Sequence, residues 1–225
     1  MANQQKQIEI FWISGSPYAW RVLLTLELKQ LGYESRLLEV SKGDLKKPEY
    51  LALSPRGKVP TLRDGDVVLT ESLAIMAYLD RKYPEPVLFG RSAPETGAIW
   101  RLISEYLSYQ HGPLDRIVRP VYFGKTAEKA DDIRAAAPEV HTELARLETN
   151  LGDSPWLSGA SISAADIAIY PFIKSLLRAA SRETAAPFNL GFLPFEARYQ
   201  KLATWMQRVE KIPGYERTYP PHWRQ

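Results

Sequence analysis

Two short stretches of this sequence join polar groups to a chain geometry that can hold an anion, and a third sets lysines near the start of a strand. Ser16-Pro17 follows the apolar run Ile8 to Ile13 and opens a helical pattern, so its hydroxyl stands at a helix N-terminus, where free amides and the helix dipole favour negative charge. Glu71-Ser72 opens a second helical pattern in the same way. Val59-Pro60 begins a short strand signal, with Lys58 beside it and Lys46 in the loop before. Each has an ordinary explanation when taken singly. Serine before proline is a common cap and first-turn pair, Pro60 reads as a strand-edge proline, Glu71-Ser72 is good helix-start chemistry, and lone lysines are mostly surface residues. On its own dipeptide Ser16 is better read as a cap. Its local alternatives are Ser14, which lies closer to the strand and points elsewhere, and Tyr18, which falls inside the first helical turn.

Several chemistries are excluded. The chain has no cysteine, which removes disulfide scaffolds, thiolate metal sites and any reaction that needs a protein thiol as nucleophile. His111, His141 and His222 lack metal-ligand spacing, so no metal is expected and none of the three is given a role. Gly57-Lys58 lacks the upstream glycine and the following Ser or Thr of a phosphate loop. The formal charge is +3, but Lys and Arg are interspersed with Asp and Glu, which describes a mixed solvated surface and not a nucleic-acid footprint. An apolar share of 45% and a charged share of 24% are those of an ordinary water-soluble protein. Met1 to Glu9 is polar, with neither a secretory signal nor a membrane span, so a cytoplasmic location is expected.

The elements that must position these residues are legible from periodicity. Ile8 to Ile13 reads as a buried strand, and Val22, Leu23, Leu26 and Leu31 as a helix closed by Gly32. Tyr33 to Val40 is a second strand, and Glu49 to Leu53 a short helix-like piece. Val59 to Leu62 and Val67 to Leu69 flank an Asp64-Gly65 pair, a strong signal for an antiparallel hairpin. Glu71 to Tyr83 carries a helical stripe ending at Pro84. The order is βαβ followed by ββα. The segment Pro84 to Pro94 reads as a linker, with the boundary near residue 90, and beyond it only helical patterns follow: roughly Glu95 to Tyr122, Ala127 to Leu151, Ala164 to Ala180 and Glu196 to Ile212. Gly112-Pro113 is expected to kink or split the first of them. Ser163-Ala164-Ala165-Asp166 reads as a capping box with Asp in place of Glu, a structural device.

This order resembles that of the glutathione transferases, and four motifs agree in register over nearly the whole length: Ser16-Pro17-Tyr18-Ala19-Trp20-Arg21-Val22, Arg56-Gly57-Lys58-Val59-Pro60-Thr61-Leu62, Glu71-Ser72-Leu73-Ala74-Ile75 and Ser163-Ala164-Ala165-Asp166. The serine-type branch (phi, tau, theta and zeta classes) is the most similar, since phi and tau members carry Ser-Pro at the first helix start. Lys58 stands where glutamine is usual in phi members and is more like the tau arrangement. The resemblance implies an α/β thioredoxin-like domain over residues 1–88 and an all-α domain over 89–225, working as a homodimer on glutathione and a small, partly hydrophobic electrophile. It gives Ser16 the task of stabilising the glutathione thiolate by a hydrogen bond, because thiolate and not thiol is the nucleophile.

The same resemblance implies a cis bond at Val59-Pro60 and pairing of the Val59 backbone with the cysteinyl part of glutathione. It places Ser72 and the helix amides on the γ-glutamyl carboxylate, Glu71 at the ammonium end, and Lys46 and Lys58 at the glycyl carboxylate. The acceptor pocket is expected between the domains, with Trp100, Tyr106, Tyr109, His111, Tyr122 and Trp223 as candidates. Alternatives are a glutathione-dependent isomerase, an ether- or halide-cleaving enzyme, or a non-catalytic ligand-binding or assembly module on the same fold. A thiol transferase or dehydroascorbate reductase of the cysteine type is excluded by the missing thiol.

Overall fold

A computed structural model describes residues 8–224; the polar start Met1–Gln7, read above as carrying no signal, lies outside the described residues. The first half of the chain folds as β1 (Ile8–Trp12), α1 (Pro17–Leu28), β2 (Tyr33–Leu37), α2 (Pro48–Leu51), β3 (Thr61–Asp64), β4 (Val67–Thr70) and α3 (Ser72–Lys82). The strands form one sheet in the order β2-β1-β3-β4, with β1 and β2 parallel and β3 antiparallel to both β1 and β4. The βαβ-ββα order expected from periodicity is present. The hairpin turns on Gly65-Asp66, where Gly65 takes φ +65°, a value that glycine adopts at no steric cost. β3 starts at Thr61 instead of Val59, because Pro60 cannot donate to the ladder. Ile10, Val22, Leu26, Leu62, Ile75, Met76 and Leu79 are fully buried and form the core between the sheet and the mutually packed α1 and α3.

Lys29, at the end of α1, carries a side chain with no exposed surface, and its ammonium meets Asp80 Oδ1 at 2.8 Å and the carbonyls of Tyr83 and Pro86 at 2.7 Å each. Three acceptors around one buried cation offset its desolvation and tie the exit of α3 to α1.

The second half contains α4 (Ala93–Glu105), a π-helical turn at Tyr106–Gln110, α5 (His111–Tyr122), α6 (Ala130–Leu151), α7 (Ala164–Ala180) and α8 (Gln200–Val209). The interruption expected at Gly112-Pro113 lies one turn earlier. In a regular helix the Pro113 ring would clash with the carbonyl of Tyr109, and the widened π turn covers that carbonyl. Backbone contacts gather the described residues into two compact units: one holds the chain up to Val87 together with the stretch from Lys211 onward, the other Leu88–Glu210. The stretch after Lys211, which the sequence reading put with the helical domain, includes α9 (Tyr215–Thr218) and packs on α1.

Asp166 is fully buried at the start of α7 and completes the capping box read from the sequence. Its Oδ2 accepts from the Ser163 amide and hydroxyl, each at 2.8 Å, and its Oδ1 from the Leu157 amide at 2.9 Å and the Trp205 indole at 2.8 Å. Burial pushes its pKa above the ordinary carboxylate range, with these donors pulling it back down. Asp166→Ala leaves three buried N–H donors without an acceptor and is expected to cost about 3 kcal/mol or more of stability, at ~1–3 kcal/mol per orphaned group. Denaturant unfolding of the variant beside the parent chain checks this.

Candidate active site

The register of the sheet decides which loops meet. Phe11 of β1 faces Thr61 of β3, and Thr61 faces Thr70 of β4. The end of β1, the start of β3 and the end of β4 therefore share one edge, within about 10 Å for two interstrand steps. β2 runs parallel to β1, so the loop that leaves it emerges at the same edge. That edge carries the Ser14–Ser16 turn, Val59-Pro60 and Glu71-Ser72 together.

Ser16 is the N-cap of α1, with φ −73° and ψ 114°, and its Oγ accepts from the Ala19 amide at 3.3 Å. A hydroxyl has two lone pairs and one proton, so this cap leaves the O–H free to donate. Ser14 Oγ lies 2.6 Å from His222 Nδ1. Tyr18 lies in the first turn of α1, its ring beneath the Arg21 guanidinium.

The Val59-Pro60 bond is cis. Among the described residues the Val59 amide and carbonyl make no hydrogen bond. The residue before it is pinned: the Lys58 carbonyl accepts from the Tyr50 hydroxyl at 2.6 Å and the Ser54 hydroxyl at 2.9 Å. Burial pushes the Tyr50 phenol pKa upward, which keeps it a protonated donor. Tyr50 and Ser54 escaped the sequence reading; both sit in or near a short helix with nothing but an apolar position to mark Tyr50.

Gly57 brings the two lysines' segments together. It takes φ +56°, and a β-carbon there would lie 2.8 Å from the Leu45 carbonyl oxygen, so the chain next to Lys46 rests on the chain next to Lys58. The neighbouring Lys42 and Lys47 are neutralised by Glu39 at 2.6 Å and Asp44 at 2.7 Å. Lys46 and Lys58 are exposed and form no ion pair among the described residues.

Glu71 caps α3 with φ +66° and ψ 106°, a region that costs a non-glycine residue ~1–3 kcal/mol. Ser72, the first residue of α3, is buried beside it, and the opening amides of this 11-residue helix have no partner within it. Of the candidate acceptor residues, Tyr106 and His111 cluster with Phe172, and Trp223 belongs to the sheet unit, where it packs edge-on to Trp20 at 5.4 Å.

A four-stranded mixed sheet unit in βαβ-ββα order with a cis-proline before its third strand, together with a helical second unit, defines a thioredoxin-like type of protein. The sequence matches the family models for the N-terminal domain of glutathione S-transferases over residues 15–82 and for their C-terminal domain over 127–208. Glutathione S-transferase A of Pleuronectes platessa is 30% identical, with 97% of this chain and 93% of the relative covered. Glutathione S-transferase theta-1 of Homo sapiens is 32% identical over 86% of this chain and 78% of the relative. The crystal structure of a glutathione S-transferase from the Antarctic clam Laternula elliptica aligns with a TM-score of 0.79 at 27% identity, covering 98% of this chain and 95% of that one. The chain belongs to the glutathione S-transferase family.

The backbone of Glu71 carries a cost that the surrounding fold offsets. Glu71→Gly is expected to raise the unfolding free energy by about 1 kcal/mol, strain relief less the entropy of glycine, and to weaken glutathione binding. Parallel denaturant unfolding and calorimetric titration with glutathione test both halves.

Proposed function

We propose that the protein is a serine-type transferase in which Ser16 stabilises the thiolate of bound glutathione for attack on an electrophilic, partly hydrophobic acceptor. The observation that supports this reading is the shared sheet edge, to which the strand register brings the turn that carries Ser16, the Val59-Pro60 bond and the opening of α3. Glutathione is itself a short extended peptide, and its cysteinyl part pairs with the Val59 edge. The γ-glutamyl carboxylate rests on the first amides of α3 and on Ser72, with Glu71 at the ammonium. Lys46 and Lys58 meet the glycyl carboxylate.

In this pose the thiol loses its proton to solvent water. The thiolate that remains is favoured by a hydrogen bond from Ser16 and by the field of the α1 N-terminus. Ser16 gives up no proton of its own and acts as a donor, not a base. The sulfur lone pair then forms a carbon–sulfur bond. In a substitution the leaving group departs with its bonding pair; in an addition the displaced electron pair takes a proton from water. A homodimer is part of the proposal. Val67 and Val68 on the edge strand β4, and Trp100 and Leu107 on the helical unit, are large apolar residues left exposed.

Ser16→Ala removes one hydrogen bond to a charged group. It is expected to leave glutathione affinity nearly intact, raise the apparent pKa of the bound thiol by about 1–2 units and lower the rate at neutral pH about 10- to 100-fold. Initial rates across pH for both proteins decide the matter, and an unchanged profile rejects the assignment.

A further inference from the structure

The turn that presents Ser16 is held from a distant part of the chain. Ile13 to Ser16 form a four-residue turn closed by the Ser16 amide on the Ile13 carbonyl at 3.3 Å, with Gly15 at φ +82° in its third position, the pattern of a type II turn. Both this bond and the 3.3 Å cap to Ala19 are long, so the turn's own bonds hold Ser16 loosely. His222, 208 residues further on, meets the turn at two points. Its Nδ1 lies 2.6 Å from the Ser14 hydroxyl, a contact in which either group can donate. Its ring also lies flush on Gly15, where a β-carbon would come within 2.8 Å of Cε1 and 3.4 Å of the Trp223 indole nitrogen.

The segment that carries His222 is itself anchored on α1. The Trp20 indole donates to the Thr218 hydroxyl at 2.8 Å, and the Trp20 ring packs edge-on to Tyr219 at 5.7 Å and to Trp223 at 5.4 Å. Arg217 pairs with the buried Glu27. Trp223 is buried, so the backbone beside it sets where the exposed His222 ring sits.

We propose that His222 is a positioning residue for Ser16, clamping the Ser14-Gly15-Ser16 turn so that the Ser16 hydroxyl keeps its aim at the thiolate. The clamp acts through Ser14 and the turn backbone, and it rests on the reading of Ser16 given above. Its loss loosens the donor and not the glutathione cradle, which is built from the start of β3 and the start of α3.

The test uses the full chain with glutathione and an activated aryl halide, comparing His222→Ala, His222→Asn, Ser14→Ala, the Ser14→Ala/His222→Ala pair and Ser16→Ala. His222→Ala is expected to lower kcat about three- to ten-fold, the worth of one hydrogen bond, with a higher apparent pKa of the bound thiol and little change in KM for glutathione. Ser14→Ala should do the same, the double variant should be no worse than either single one, and His222→Asn, which keeps a polar group at the contact, should recover most of the loss. Parental kcat and thiol pKa in His222→Ala, or losses that simply add in the double variant, overturn the clamp. A fall in thermal midpoint with the thiol pKa unmoved also overturns it, since that is the mark of a purely structural tail contact. If Ser16→Ala raises the thiol pKa and His222→Ala does not, the clamp alone falls. If Ser16→Ala leaves that pKa unchanged, the serine reading falls and the clamp with it.

Discussion

A strand antiparallel to its neighbour begins where that neighbour ends, and the candidate site depends on this rule. β1 and β4 leave the sheet at the edge where β3 enters it, because Phe11, Thr61 and Thr70 stand in one row. Three loops far apart in sequence are thereby delivered to one place with no side chain needed to draw them together. The register is itself fixed by burial. Leu62 is fully buried, and a slip of one residue would exchange it for its neighbours on the other face of β3. Core packing and site assembly are one constraint.

Ser16 shows how a residue can satisfy two readings at once. As a cap it spends a lone pair on the Ala19 amide, and the proposed donor role draws on its proton. The cap uses a lone pair and the proposed role uses the proton, so helix formation and the proposed thiolate stabilisation do not compete. Glu71 is the opposite case. Its backbone conformation works against folding, and the sequence pattern Glu-Ser at a helix start gives no sign of that.

What was legible in the sequence is what local chemistry dictates. The Asp-Gly pair placed the hairpin, the box from Ser163 to Asp166 opened α7 at Ala164, and the apolar stripes gave α1 and α3. The three further motifs in register with Ser16-Pro17 pointed to the family. What escaped was set by partners far along the chain. Lys29 reads as a surface lysine until Asp80 and two carbonyls surround it. Tyr50 and Ser54 reveal their hold on Lys58 only when the loop is folded. His222, without a metal partner at any useful spacing, carried no signal, and the segment after Lys211 was assigned to the helical domain with the rest of residues 89–225. The proline at 113 announced a disturbance, but how the backbone absorbs one proline, by a kink or by a widened turn just before it, is not written in the residue type.

The sheet unit is discontinuous: its strands are made early, and the stretch that covers Trp20 is made after the whole of Leu88–Glu210. During synthesis the helical unit has all its residues available before the sheet unit does. A nascent chain stopped at Glu210 holds every strand of the sheet, yet the indole of Trp20 lacks Thr218, and its ring lacks the faces of Tyr219 and Trp223. On the ribosome, the unit begun first is therefore the last to have all its residues.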